Sequence, residues 1–271
     1  MNAATPAGQP AATPERSVAV AFLRRDVMGN LPLLKMASTY PGQAQLRFRE
    51  TDGRGAAMLI MPVAASAFDR ATYPKAEWVV MLAAEEPGDV EPLLSGLDEH
   101  AGIVFKITHR FAETVGRSFA IQRVTAYVSY TWPADQPTQP DPRVNVSLTT
   151  DPLGKKLRAA MPRTLEDVLP FFESGDARLF TIAEGGATVA GCLGYPNFED
   201  VHEVGVLYTA PGFRHRGYAR GLVTTAAHDM RGRGLTVRYQ TTEDNDASQA
   251  VARAAGLVPF LTLEHWLGTR R

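Results

Sequence analysis

Apolar and polar positions along this chain alternate between two periods, and each change of period marks an element. Within residues 18–36, Val20, Leu23, Val27, Leu31 and Leu34 recur at helical spacing, predicting a helix that Pro32 kinks or splits. Residues 45–50 and 56–63 read as strands around Thr51-Asp52-Gly53-Arg54-Gly55, a hairpin signal. A short buried strand at 78–82 follows, then an amphipathic helix at 89–100 with Val90, Leu93, Leu94 and Leu97 on one face. Residues 103–107 predict a strand, 109–115 a short helix and 119–130 a long alternating strand. Pro133, Pro137, Pro140 and Pro142 then stand among polar residues, so 133–142 is a linker or long loop.

Beyond it, residues 143–148 predict a strand, and Thr164 is placed to cap a helix. Strands at 178–183 and 188–193 flank the turn Glu184-Gly185-Gly186. A strand at 203–209, a helix at 218–231 closed by Gly232 and Gly234, and a strand at 235–241 come next. A helix at 246–255 ends at Gly256, and 257–267 is extended. Both halves share one element order without convincing sequence identity. The division expected is a disordered tail at 1–17, an α+β domain at 18–132, the linker, and a second domain at 143–271.

Composition narrows the function. The chain has 271 residues, 45% hydrophobic and 21% charged, with a formal net charge of −1. It can bury a sizeable core, and no overall field draws it to nucleic acid or anionic lipid. One cysteine, Cys192, excludes a disulfide framework and a multi-cysteine zinc site, and its apolar surroundings read as core. No run of about eighteen apolar residues suggests a membrane span. The N-terminal residues lack the basic and apolar regions of a signal peptide, so the expected location is cytoplasmic. No histidine pairs with Asp, Glu or Cys at metal-ligand spacing, and no metal is expected.

The chemistry concentrates in Glu203-Val204-Gly205-Val206-Leu207-Tyr208-Thr209-Ala210-Pro211-Gly212-Phe213-Arg214-His215-Arg216-Gly217-Tyr218-Ala219. A strand runs into a basic turn, and a helix starts at the glycine. Free N–H groups and the positive end of the helix dipole make an anion site there. Gly217 lets backbone approach a phosphate, and Arg214 and Arg216 can add charge-assisted hydrogen bonds. Taken alone, the hexapeptide is better explained as a solvated surface turn. Its place between an alternating strand and an amphipathic helix, followed by Asn245, Ser248 and the helix end Gly256-Leu257, argues for more.

In this order and spacing the segment resembles the GCN5-related N-acetyltransferase (GNAT) superfamily over about 120 residues. The resemblance implies an α/β fold (α+β) with a mixed central sheet and helices on both faces; the first half resembles a degenerate GNAT-like domain, which would make two in tandem, with an unrelated accessory α+β domain as the alternative. It implies acetyl-CoA as co-substrate. Backbone groups of Leu207, Tyr208 and Thr209 would pair with the pantetheine arm, and the amides of Arg214, His215, Arg216, Gly217, Tyr218 and Ala219 would hold the pyrophosphate. Asn245 and Ser248 would touch the cofactor, though Asn245 is equally a helix cap. The acceptor implied is a primary amine of a small molecule or peptide.

For catalysis, strand alternation places Glu203, Gly205, Leu207 and Thr209 on one face, so Glu203 is a candidate base. His202 competes, with the better unperturbed pKa. The superfamily's usual general acid, a tyrosine four residues before the terminal glycine, is replaced by Ala252; either another residue such as Ser248 or Tyr208 supplies the thiolate's proton, or the thiolate leaves with help from water and nearby amides. Residues 195–200 are the expected cleft edge. In the first half, Glu85, Glu86 and Asp89 stand where arginines would be needed and would repel a pyrophosphate. Two classes stay open: an acetyltransferase, or a catalytically silent CoA-binding scaffold. Nucleic acid and membrane are not expected partners, and a homodimer is left open.

Overall fold

The computed structural model describes residues 14–97, 102–152 and 162–271. The chain runs α1 (Pro14–Leu23), α2 (Leu31–Thr39), β1 (Gln45–Thr51), β2 (Arg54–Pro62), α3 (Ala67–Thr72), β3 (Trp78–Ala84), α4 (Glu91–Leu94), β4 (Ile103–Ile107), α5 (Ala112–Ser118) and β5 (Phe119–Thr131). It continues β6 (Asn145–Ser147), α6 (Pro162–Glu173), β7 (Arg178–Glu184), β8 (Ala187–Phe198), β9 (Val201–Thr209), α7 (Tyr218–Gly232), β10 (Thr236–Thr242), α8 (Asp246–Ala255) and β11 (Val258–Arg270). Helices and strands mix throughout, giving the α/β class expected.

Three local outcomes differ from the pattern. Helix α1 starts at Pro14, so residues 14–17 are helical and not tail; residues 1–13 lie outside the described residues. Of the helix expected at 89–100, the described part is broken into a 3-10 turn at Pro87–Val90, the short α4 and a second 3-10 turn at Ser95–Leu97, and residues 98–100 lie outside the described residues. Pro92 and Gly96 explain the break, yet Val90, Leu93, Leu94 and Leu97 are all buried as their spacing required. Helix α6 begins at Pro162, ahead of Thr164, whose capping side chain lies outside the described residues. Pro32 splits the first helix as its position predicts, sitting in the first turn of α2.

Two compact units emerge, Met1–Ala126 with Thr262–Arg271, and Tyr127–Leu261. In the first, β1, β2 and β3 are antiparallel neighbours, β3 and β4 run parallel, and β4 pairs antiparallel with the end of β11. Ala56, Met58 and Ile60 face the short helices between β3 and β5, with Leu94, Leu97 and Val115. The opposite face meets α1: a Cβ on Gly55 would come 2.6 Å from the Phe22 ring. The β3–β4 ladder holds from Trp78↔Ile103 to Met81↔Lys106, nearly the whole of β4. Beside it, Lys106 Nζ meets Asp69 at 2.5 Å and Tyr73 hydrogen-bonds His265 Nδ1, a buried polar cluster.

In the second unit the order is residues 127–131 of β5, then β10, β9, β8, β7 and β6. Helices α7 and α8 cover one face through Leu222, Val223, Ala226, Met230 and Ala252, packed with Tyr130, Val237 and Tyr239. Helix α6 covers the other through Val168 against Leu179 and Leu193. Cys192 lies in the first of these cores, and burial pushes its thiol up. The proline-rich segment is strapped along α7. Arg231 Nη2 donates to Ala134 O at 2.5 Å, Asp141 N donates to Thr225 Oγ1 at 2.8 Å, and Thr138 Oγ1 meets His228 Nδ1 at 2.9 Å. Among the described residues no helix is long and apolar enough to cross a membrane.

Candidate active site

The site begins with a defect in a strand. Opposite β8, the register of β9 jumps between Leu193↔Gly205 and Gly191↔Tyr208, a β-bulge. At the bulge Val206 has φ +55°, a conformation a β-branched residue rarely adopts. The bulge overturns the expected face. Val204 and Leu207 pack with the α7 side, whereas Val206 and Tyr208 pack with the α6 side. Glu203 lies across β8 from Tyr195, and a Cβ on Gly205 would come 2.7 Å from the Tyr195 hydroxyl. Glu203 therefore does not share a face with Leu207 and Thr209.

On its other side β9 pairs with β10 only from Val201↔Thr236 to Glu203↔Arg238. Past that point the parallel strands separate, so the backbone of Leu207 to Thr209 faces a gap in place of a ladder. At the vertex Arg238 and Glu203 form a buried ion pair, and Asn197 Nδ2 donates to the same Glu203 oxygen at 2.9 Å. Arg238 also donates to Ser129 Oγ at 3.2 Å.

The gap opens into a cavity of about 730 Å³. Leu207, Tyr208 and Thr209 line one side; Asn245, Ala247, Ser248, Ala250, Val251 and Ala254 of the α8 region line another. The end is closed by Arg214, His215, Gly217, Tyr218, Ala219 and Arg220. His215 and Gly217 have φ of +61° and +77° around Arg216, the alternation of an anion-binding nest. Gly217 is the N-cap of α7 and has no side chain to cap it, so the first amides of a fifteen-residue helix are available to an anion. A Cβ there would meet no protein atom within 4 Å; the left-handed backbone, and room for a ligand, are what glycine supplies.

Nearly all of the residues singled out from sequence meet at this cavity. Arg216 does not line it. Its guanidinium pairs with Glu184 at 3.2 Å and lies 5.1 Å over the Phe213 ring. Arg220, which sequence pattern alone does not single out, lines the cavity from the first turn of α7; its spacing three after Gly217 was the available signal. Glu203 and His202 are buried and outside the lining. Burial, with Arg233 nearby, lowers the pKa of His202. Asn245 Oδ1 accepts from Ser248 N at 3.0 Å, so the cap reading holds, and the residue lines the cavity as well. Of residues 195–200, Asn197 joins the vertex network. In the first unit, Glu85 pairs with Arg25 at 3.2 Å and Asp89 with Arg54 at 3.0 Å, so these acids are matched by arginines.

Chemically the arrangement can hold an extended polar chain by strand addition and an anion at its end. Residues 147–257 match the model of the acetyltransferase (GNAT) family. This segment is a GNAT domain. No curated protein matches the sequence. Among solved structures, a GCN5-related N-acetyltransferase from Sphaerobacter thermophilus matches at 15% identity and a TM-score of 0.60, over 95% of this chain and 93% of its own. An acetyltransferase of the GNAT family from Colwellia psychrerythraea matches at 12% identity and a TM-score of 0.57, over 94% of this chain and 95% of its own. At those identities the likeness is one of fold, and it takes in the residues before the GNAT domain. Among the described residues no group of three or more His, Cys, Asp or Glu could hold a metal ion.

Proposed function

We propose that the GNAT domain transfers an acetyl group from acetyl-CoA to a primary amine of a small molecule or peptide. The observation that carries this reading is the separation of β9 from β10, which leads an unpaired strand edge straight to the uncapped start of α7. Backbone of Leu207 to Thr209 would pair with the amide-bearing pantetheine arm, and the amides from Arg214 to Ala219 would take the pyrophosphate, with Arg214 and Arg220 adding charge. Acetyl-CoA, when bound, supplies an activated thioester. The chain's own contribution is to orient it, to exclude water from the gap, and to present hydroxyl donors from Tyr208 and Ser248.

No base is assigned. Glu203 serves Arg238 and Asn197 at the vertex. That observation, with Ala252 in place of the superfamily's tyrosine, favours a second reading: a domain that binds CoA without turning over.

Calorimetric titration of acetyl-CoA separates the outcomes. Wild type is expected to bind saturably, and Arg214→Ala combined with Gly217→Asp to weaken binding at least tenfold while keeping its thermal transition. Thiol release over a panel of amines then decides between enzyme and scaffold. A folded wild type that binds no acetyl-CoA overturns both readings.

A further inference from the structure

We propose that Ser248 hydrogen-bonds the sulfur of the departing coenzyme A thiolate, its hydroxyl set for this by Tyr239. The proposal rests on acetyl-CoA occupying the cavity. Tyr239 stands on β10 and is 2% exposed, its ring packed edge-on to Tyr130 with centroids 6.4 Å apart. Its hydroxyl oxygen lies 2.5 Å from Ser248 Oγ. A buried phenol has to give its proton to an acceptor, and among the described residues Ser248 Oγ is the partner that Tyr239 has. Two hydroxyls share one bond, so only one of them donates in it. If Ser248 donated, the buried phenolic proton would be left without an acceptor, which is costlier than the reverse arrangement. Tyr239 is therefore the donor. Burial also raises its pKa, keeping that proton in place.

This direction of donation fixes the hydroxyl of Ser248. The backbone N–H of Ser248 is taken by the Asn245 cap, which holds the residue in the first turn of α8. Its oxygen accepts from Tyr239, which leaves its own proton free to turn to the cavity that Ser248 lines. The reaction forms an N–C bond and breaks the C–S bond, whose electron pair stays on sulfur; the proton lost by the amine reaches that sulfur through solvent. Ser248 keeps its proton throughout and stabilises the charge while it is there. Ser248 is the catalytic residue and Tyr239 a positioning residue.

The test needs no turnover. CoA is bound to the full chain, and ionisation of its thiol is followed with pH by the ultraviolet absorption of the thiolate. The same is done for Ser248→Ala, Tyr239→Phe and Tyr208→Phe, each with a matching titration of desulfo-CoA. The bound thiol is expected to ionise about one pH unit lower in wild type than in Ser248→Ala, with Tyr239→Phe between them and desulfo-CoA bound equally by all. Equal thiol ionisation in wild type and Ser248→Ala, or a shift that follows Tyr208→Phe instead, overturns the proposal. Wild type that binds neither CoA nor desulfo-CoA removes the acetyl-CoA reading itself.

Discussion

Glu203 looks like a catalytic base in the sequence and like a strut in the structure. It meets Arg238 at the last paired position before β9 and β10 part, with both side chains buried. Removing one partner of such a pair leaves a buried charge unmatched, at a cost of about 3–5 kcal/mol. Arg238→Ala is therefore expected to lose stability on that scale in chemical denaturation. Glu203→Gln, which keeps an acceptor for both donors, should hold its acetyl-CoA affinity within a few fold. A wild-type denaturation midpoint in Arg238→Ala would show that the pair is no strut. His265 gives a second residue-level expectation. Burial, with Lys106 beside it, takes its pKa down to about 3, while the unfolded chain's histidine titrates near 6.5. Between those values the unfolded chain binds the extra proton, so this contribution is complete above pH 6.5 and declines as pH falls towards 3. The slope is at most about 1.4 kcal/mol per pH unit. Tyr73 hydrogen-bonds the ring, and the nearby Lys106 is itself paired with Asp69. Thermal melts from pH 8 to pH 4 should show wild type losing stability faster than His265→Asn; parallel curves would place the proton elsewhere.

At the scale of elements, regular pieces were legible and irregular ones were not. The turn at Glu184-Gly185-Gly186, the helix opened by Gly217, and the Asn245 cap all derive from residues whose chemistry suits one backbone state. The bulge at Val206 was hidden because the residue argues for plain strand while its φ is +55°. One extra residue flips everything after it to the other face, which is why alternation alone places Leu207 with Glu203. Tyr239 was hidden for another reason: its role comes from a contact between a strand and the following helix, which no spacing rule exposes. The bulge carries its own prediction. Deleting Val206 should restore regular alternation between β8 and β9, let β9 continue its ladder with β10, and close the gap. Acetyl-CoA affinity is expected to fall more than tenfold while the melting temperature stays at or above the wild-type value, since the strained residue is gone. Unchanged affinity in the deletion would mean the gap is held open by something other than the bulge.

For the whole molecule, the instructive point is where the units end. The proline-rich segment at 133–142 looks like a boundary because prolines interrupt every ladder. In the structure the second compact unit starts earlier, at Tyr127, and stops at Leu261. Residues 127–131 pair with β10 from Tyr127↔Thr242 to Thr131↔Arg238, and Tyr130 and Trp132 are members of the core shared by α7 and α8. The segment after them supplies acceptors for both terminal guanidinium nitrogens of Arg231. A fragment of residues 127–261 thus contains every strand of this unit and every cavity-lining residue, and it should fold and bind acetyl-CoA with the affinity of the full chain. A fragment of residues 143–271 keeps the same cavity residues but loses the strand that covers β10, two core aromatics and the strap. It also carries residues 262–271, which pair with β4 of the first unit. An uncovered β10 and an unpaired β11 are aggregation-prone edges. This second fragment is expected to precipitate or to melt far below the first, although both contain the entire GNAT match at 147–257. Equal stability of the two would show that the strand at 127–131 is dispensable, and that sequence pattern alone had located the folding unit.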